Sequence, residues 1–162
     1  MTLLGQWPGG RVDQVGLLTS DLHATMDAYV TTLGLSFHVI EVDETNSGFS
    51  GSSATFRTRI AVALAGLSSV ELIQPVAGST IHSEHLRTRG PGLHHLGIYV
   101  PKLADAAKAL AGRGAVKLME GHIDRLGQFA YFQDAGMQCI IEPLQLSAEL
   151  PVFLAQRASA YP

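Results

Sequence analysis

Two carboxylates stand in strand-like runs that are otherwise apolar: Glu71 in Val-Glu-Leu-Ile and Glu142 in Ile-Ile-Glu-Pro. A carboxylate buried in such a strand has to be paired with a cation or bound to a metal. Two adjacent histidines, His94 and His95, interrupt a third apolar run over 93–100. Strand side chains alternate between faces, so one histidine points into an interior cleft and the other points away. Two carboxylates, one imidazole and one amide oxygen form a ligand set for a divalent ion of borderline hardness: Zn, Co, Ni, Mn or Fe(II). Which amide joins them, and which histidine, depends on how the chain is arranged.

The run over 12–18 alternates like a strand, Thr19-Ser-Asp21 carries helix N-cap chemistry, and Leu22, Met26, Tyr29, Val30 and Leu33 share one helical face before Gly34. Strands are predicted over 35–42, 54–64 and 69–74, with a polar loop over 43–53 and Pro75 ending the set. A connector over 76–92 contains a short helix, 80–87, closed by Gly90-Pro-Gly92. The order then recurs. A strand over 93–100 leads to Pro101, suited to a first helical turn, and to a stripe of Leu103, Ala107 and Leu110. Strands follow over 116–119, 128–133 and 138–144, and Ser147 can cap a short helix in the tail.

Both halves therefore read strand, helix, strand, strand, strand. Moving 81 places along the chain carries Val12-Asp-Gln-Val-Gly-Leu onto Leu93-His-His-Leu-Gly-Ile, so that Gln14 falls on His95 and Gly16 on Gly97. At the far end Val70-Glu71 matches Ile141-Glu142 at an offset of 71. The ten extra residues of the first half belong in the loop over 46–53, where an insertion costs little. The chain divides into a first βαβββ module over 11–75, a connector over 76–92, a second module over 93–146 and a tail over 147–162, together one structural domain. Pseudo-twofold symmetry between the modules brings Gln14, Glu71, His95 and Glu142 together as two equivalent pairs. A lone glutamate in a strand usually faces solvent, and a lone buried histidine is usually a core residue; the repeat is what selects these four as metal ligands. His94, the equivalent of Asp13, is expected to face the helices or solvent. The other histidines, His23, His38, His82, His85 and His122, have no equivalent partner, and His122 is expected at the surface.

The bulk properties narrow the function classes. With 162 residues, 46% of them hydrophobic, the chain can bury a full core. Its 11 Lys+Arg against 14 Asp+Glu, with no basic run, argue against a nucleic-acid partner. The one cysteine, Cys139, permits neither an intrachain disulfide nor a cysteine-based zinc site and agrees with a cytoplasmic setting. No apolar run approaches the ~20 residues that span a bilayer, so no membrane partner is expected.

On Gly90-Pro-Gly-Leu-His-His-Leu-Gly-Ile, Glu71-Leu-Ile-Gln-Pro75 and the repeat over 12–145, the chain resembles the vicinal oxygen chelate (glyoxalase/bleomycin resistance/dioxygenase) superfamily, most like members of the methylmalonyl-CoA epimerase type. The resemblance implies an α+β fold: two tandem βαβββ modules forming a cupped mixed sheet around a metal cleft. It implies one divalent metal ion held by His95, Glu71 and Glu142, with Gln14 in the position where eukaryotic glyoxalases carry glutamine and the epimerases usually carry histidine. It further implies a small-molecule substrate such as an acyl-CoA or another carbonyl compound, and a homodimer. The implied chemistry is proton abstraction α to a carbonyl through an enolate or enediolate, with Glu142 as general base. One departure stands out. The epimerases use a second acid–base carboxylate on a middle strand of the first half, whereas the run over 54–64 carries Arg57 and Arg59. Basic residues at Arg87, Arg89, Lys102, Lys108 and Arg113 are candidates for holding a CoA phosphate, although solvated faces usually look the same. Alternatives within the superfamily are a glyoxalase-type lactoylglutathione lyase and an extradiol-type dioxygenase, the latter disfavoured by a single symmetry-placed histidine. A non-catalytic ligand-binding or resistance protein would need no cleft carboxylates.

Overall fold

Alternation along the strands sorts the side chains into two layers. In the computed structural model, which describes residues 11–45, 55–123, 127–147 and 160–161, strand β3 (Thr55–Ala65) sends Ala61 and Ala63 to one face and Thr58, Ile60 and Val62 to the other. The alanine face meets helix α1 (Leu22–Leu33), whose Leu22 and Met26 are buried with Phe37 and Leu72. Full burial of each of these larger side chains contributes about 1.5–3 kcal/mol. The opposite face lines a cleft. Helix α1 begins where Asp21 accepts a hydrogen bond from the Ala24 amide and ends at Gly34, whose φ of 68° is left-handed.

The remaining first-half strands are β1 (Gln14–Leu18), β2 (Phe37–Thr45) and β4 (Ser68–Ala77). Helix α2 (Ile81–Arg89) occupies the connector, its N-terminus closed by a capping box between Thr80 and Ser83. The second half repeats the plan with β5 (Gly92–Tyr99), α3 (Leu103–Ala111), β6 (Val116–Ile123), β7 (Gly127–Asp134) and β8 (Cys139–Leu146). Helix α3 packs Leu103 and Leu110 on Ala130, Phe132 and Ile141. A short strand, β9 (Ala160–Tyr161), pairs with β2. The sheet order is β6-β7-β8-β5-β1-β4-β3-β2-β9, a mixed sheet curled into a half-barrel. Within each half the first and last strands are parallel; between the halves β1 and β5 pair antiparallel. The register Gln14↔Gly97, Val15↔Leu96, Gly16↔His95 makes the centre of that pairing the pseudo-dyad.

Several expected boundaries move for identifiable reasons. β4 does not end at Pro75: the parallel pairing with β1 stops at Ile73, so Pro75 has a neighbour on one side only and its missing N–H breaks little. β2 runs through Thr45, into the span expected to be loop. Pro101 lies before the α3 N-cap, Lys102, rather than inside the first turn; the Leu103 amide donates instead to the side-chain oxygen of Gln145. The tail helix expected from Ser147 falls outside the described residues, as does the loop over 46–53.

Candidate functional site

The four strands at the centre of the sheet, β4-β1-β5-β8, carry the residues selected by the repeat. Gly16 of β1 has Glu71 beside it on β4 and His95 beside it on β5; Gly97 of β5 has Gln14 beside it on β1 and Glu142 on β8. The two glycines make room for the polar side chains. A Cβ on Gly16 would lie 1.9 Å from His95 Cε1 and 2.2 Å from Nε2, and a Cβ on Gly97 would lie 2.8 Å from Gln14 Oε1. Each half thus supplies a bare stretch of backbone over which the other half lays its side chain. Strand polarity had marked the ligands; the equivalence of Gly16 and Gly97 was visible in the repeat, but their role shows only once β1 and β5 pair.

Glu71, His95 and Glu142 converge, with one donor atom of each within 4.8 Å of the others. His95 Nε2 stands 3.3 Å from Glu71 Oε2 and 3.0 Å from Glu142 Oε2. Neither approach has the alignment of a hydrogen bond, and Nε2 and both carboxylate oxygens are buried without a hydrogen-bonding partner. Gln14 Oε1 is buried and unpartnered in the same way, and Gln14 lines the cleft with Glu71 and Glu142. Four buried lone-pair donors left without partners are costly to the fold unless something electropositive sits among them. The two carboxylates, the imidazole and the amide oxygen fit a divalent cation in number, charge and softness. In its metal-free form the protein puts a proton there. Burial opposes charge on His95, but attraction from Glu142 and then Glu71 outweighs it and raises the imidazole to about 10. Burial, with Glu142 nearby, pushes the Glu71 carboxyl up despite the opposing pull of His95.

His94 faces a helix, one of the two surroundings expected for it. Between Gly16 and Leu17 the β1–β5 register slips, since Gly16 faces His95 and Leu17 faces Leu93. His94 is the extra residue of a β-bulge, which breaks strict alternation and re-aims a side chain. It is 2% exposed, its ring among those of His82 and His85 from α2, Tyr131 and His95. Its Nδ1 lies 3.0 Å from Nδ1 of His95. For His95 Nε2 to offer a lone pair to a cation, its Nδ1 must carry the proton and donate to His94. Burial, and the charges of His82 and His95 behind it, hold His94 far below the usual histidine range, so it stays neutral and able to accept.

His82, set aside in the sequence for want of a counterpart in the repeat, comes from the connector. It is buried, lines the cleft, and burial holds it neutral down to about 3. His122 is exposed, as expected. Of the basic residues considered for a phosphate, Arg87, Lys102 and Arg113 are engaged locally with Glu84, Asp105 and Asp134. Glu41 faces away from the cleft and pairs with Arg59 at 2.9 Å.

Residues 13–132 match the family model of the Glyoxalase/Bleomycin resistance protein/Dioxygenase superfamily. The chain belongs to this superfamily. Solved structures similar to this superfamily member include methylmalonyl-CoA epimerase from Mycobacterium tuberculosis (18% identity, TM-score 0.66, covering 90% of this chain and 97% of that one). A variant of Streptomyces coelicolor methylmalonyl-CoA epimerase, in complex with 2-nitronate-propionyl-CoA, is 20% identical with a TM-score of 0.68, covering 85% and 95%. The hypothetical protein BH1468 from Bacillus halodurans C-125 is 18% identical with a TM-score of 0.63, covering 83% and 93%. At such identities the likeness establishes the fold. No curated protein matches the chain in sequence. Among the described residues no helix is long and apolar enough to cross a membrane.

Proposed function

We propose that this superfamily member is a divalent-metal-dependent isomerase or lyase that removes a proton α to a carbonyl, with epimerisation of a methylmalonyl-CoA-type thioester as its best-fitting reaction. The observation that carries the reading is the convergence of Glu71, His95 and Glu142, with Gln14 alongside them, as buried donors without partners in the cleft. When bound, a divalent ion supplies a Lewis acid that polarises substrate oxygens and stabilises the charge developing on them. Gln14, Glu71, His95 and Glu142 hold it. His94 keeps the His95 ring in the tautomer that leaves Nε2 free. Glu142 takes the α-proton, being a buried carboxylate on the cleft side of β8. Glu71 stands across the pseudo-dyad on β4 and faces the same cleft. The apolar walls exclude water from the carbanionic state.

A glyoxalase-type lyase is the second reading, favoured by one observation: the first-strand donor is the amide of Gln14. The acyl-CoA complex of the Streptomyces relative supports a thioester substrate for this chain. Cytoplasmic location and a homodimer belong to the same reading and rest on composition and family resemblance. The test is exchange of the α-proton of methylmalonyl-CoA with solvent deuterium, followed by NMR on metal-loaded protein. Exchange is expected, and Glu142→Gln should slow it by about 10²–10⁴-fold. Metal-loaded protein that exchanges nothing would rule out this reaction, and full exchange in Glu142→Gln would rule out the base.

A further inference from the structure

Beyond the four donors, the cleft is a cavity of about 420 Å³ with little else polar in it. Its first-half wall is built by the inward-facing alternates of β2 and β3, Ile40, Val42, Phe56, Ile60 and Val62, and the second half faces them with residues such as Phe129. Among the described residues lining it there is no Lys, Arg or Asp, and the only carboxylates are Glu71 and Glu142. His82, Tyr99 and the hydroxyls of Thr58, Ser69 and Ser147 complete the polar set among the described residues. Burial holds the first neutral down to about 3 and pushes the phenol of the second up, so neither offers a charge. A divalent ion is neutralised by the two glutamates, which leaves one anionic or polarised pair of oxygens as all the charge the site can match. A methyl group would leave most of the apolar wall without a partner, and unfilled apolar surface forfeits the affinity that its burial supplies.

We propose that the substrate held at the donor cluster projects into the cavity an uncharged alkyl or aryl body larger than methyl. For the enolate reaction proposed above, on which this inference rests, a chain or ring on the α-carbon binds more tightly than the methyl of methylmalonyl-CoA. A second carboxylate or phosphate inside the cavity would meet no cation among the described residues that line it.

The test uses hydroxamates, which chelate through two adjacent oxygens, on the full chain loaded with Co(II). Acetohydroxamate, hexanohydroxamate and adipic monohydroxamate are titrated by calorimetry, with the Co(II) absorption bands reporting chelation. Hexanohydroxamate is expected to bind more tightly than acetohydroxamate by about fourfold per added methylene, and the adipic compound, carrying a terminal carboxylate, to lose that gain. Val62→Phe, which narrows the wall, should bring the ratio of the first two affinities towards one. Ile40→Thr on β2 reads the same ratio should Val62→Phe fail to fold. Equal affinity for the acetyl and hexanoyl probes, with the Co(II) bands shifted by both, would overturn the apolar substrate class and leave the chelating site standing. Bound Co(II) whose bands respond to neither probe would instead overturn the chelation reading beneath it.

Discussion

The two halves of the molecule share a backbone plan and differ at the residue before each central donor. In the first half Asp13 precedes Gln14; its Oδ2 accepts from the Tyr99 amide at 2.9 Å and its Oδ1 pairs with Arg11, so it ties β1 to β5. In the second half the equivalent residue is His94, which the bulge turns towards α2 and against the His95 ring. One half uses this position to fasten the sheet, the other to support a ligand. An imidazole gains from such a partner because its second nitrogen must be held in one tautomer, whereas an amide oxygen accepts without help. Duplicated architecture fixes where the donors meet, and a one-residue slip in one copy adjusts the chemistry.

The glycines test the shared part of the plan. Gly16→Ala should have the largest effect, a loss of about 3 kcal/mol or more together with metal binding, because the buried His95 ring lies where the methyl group would go. Gly97→Ala meets chiefly the flexible Gln14 side chain and should cost less. Chemical denaturation of both variants measures the difference, and equal losses would mean the two halves are not asymmetric in the way described. Next comes the position where they diverge. His94→Ala should weaken metal binding by about 10–100-fold, read by competition with a chromogenic chelator. Asp13→Ala should leave that affinity alone and instead lower stability by about 1–3 kcal/mol, the cost of an orphaned buried amide.

A further effect is in pH. His95 of the metal-free protein is raised from 6.5 to about 10, so the stability it contributes is complete below pH 6.5 and is lost as pH climbs towards 10. His82 is lowered from 6.5 to about 3, so its contribution is present above pH 6.5 and is lost as pH falls towards 3. Urea midpoints of metal-free protein should therefore decline on both sides of pH 6.5. Metal uptake should release a proton from His95 and tighten as pH rises; a pH-independent metal affinity would contradict the protonated centre.

Much of this was legible in the chain because a repeat carries register. The offset relating Gln14 to His95, and the shorter one relating Glu71 to Glu142, specify a shared dyad without any knowledge of the fold. The glutamates were readable because carboxylates among Val, Leu and Ile are conspicuous. What stayed hidden was of a different kind. A β-bulge has no marker in Leu-His-His-Leu, so the contact of His94 with the His95 ring could not be read from alternation. Pro75 reads as a terminator unless one knows that β1 has already ended beside it. His82 approaches through the connector, where symmetry has nothing to say, and the pairing of β9 with β2 joins segments far apart in sequence.

Metal binding by the single variants decides the matter most directly. Titration of Co(II) into wild-type protein should show one tight equivalent per chain, abolished in His95→Ala and weakened but retained in His94→Ala. Retention in His95→Ala with loss in His94→Ala would contradict the register of β5 and the centre built on it.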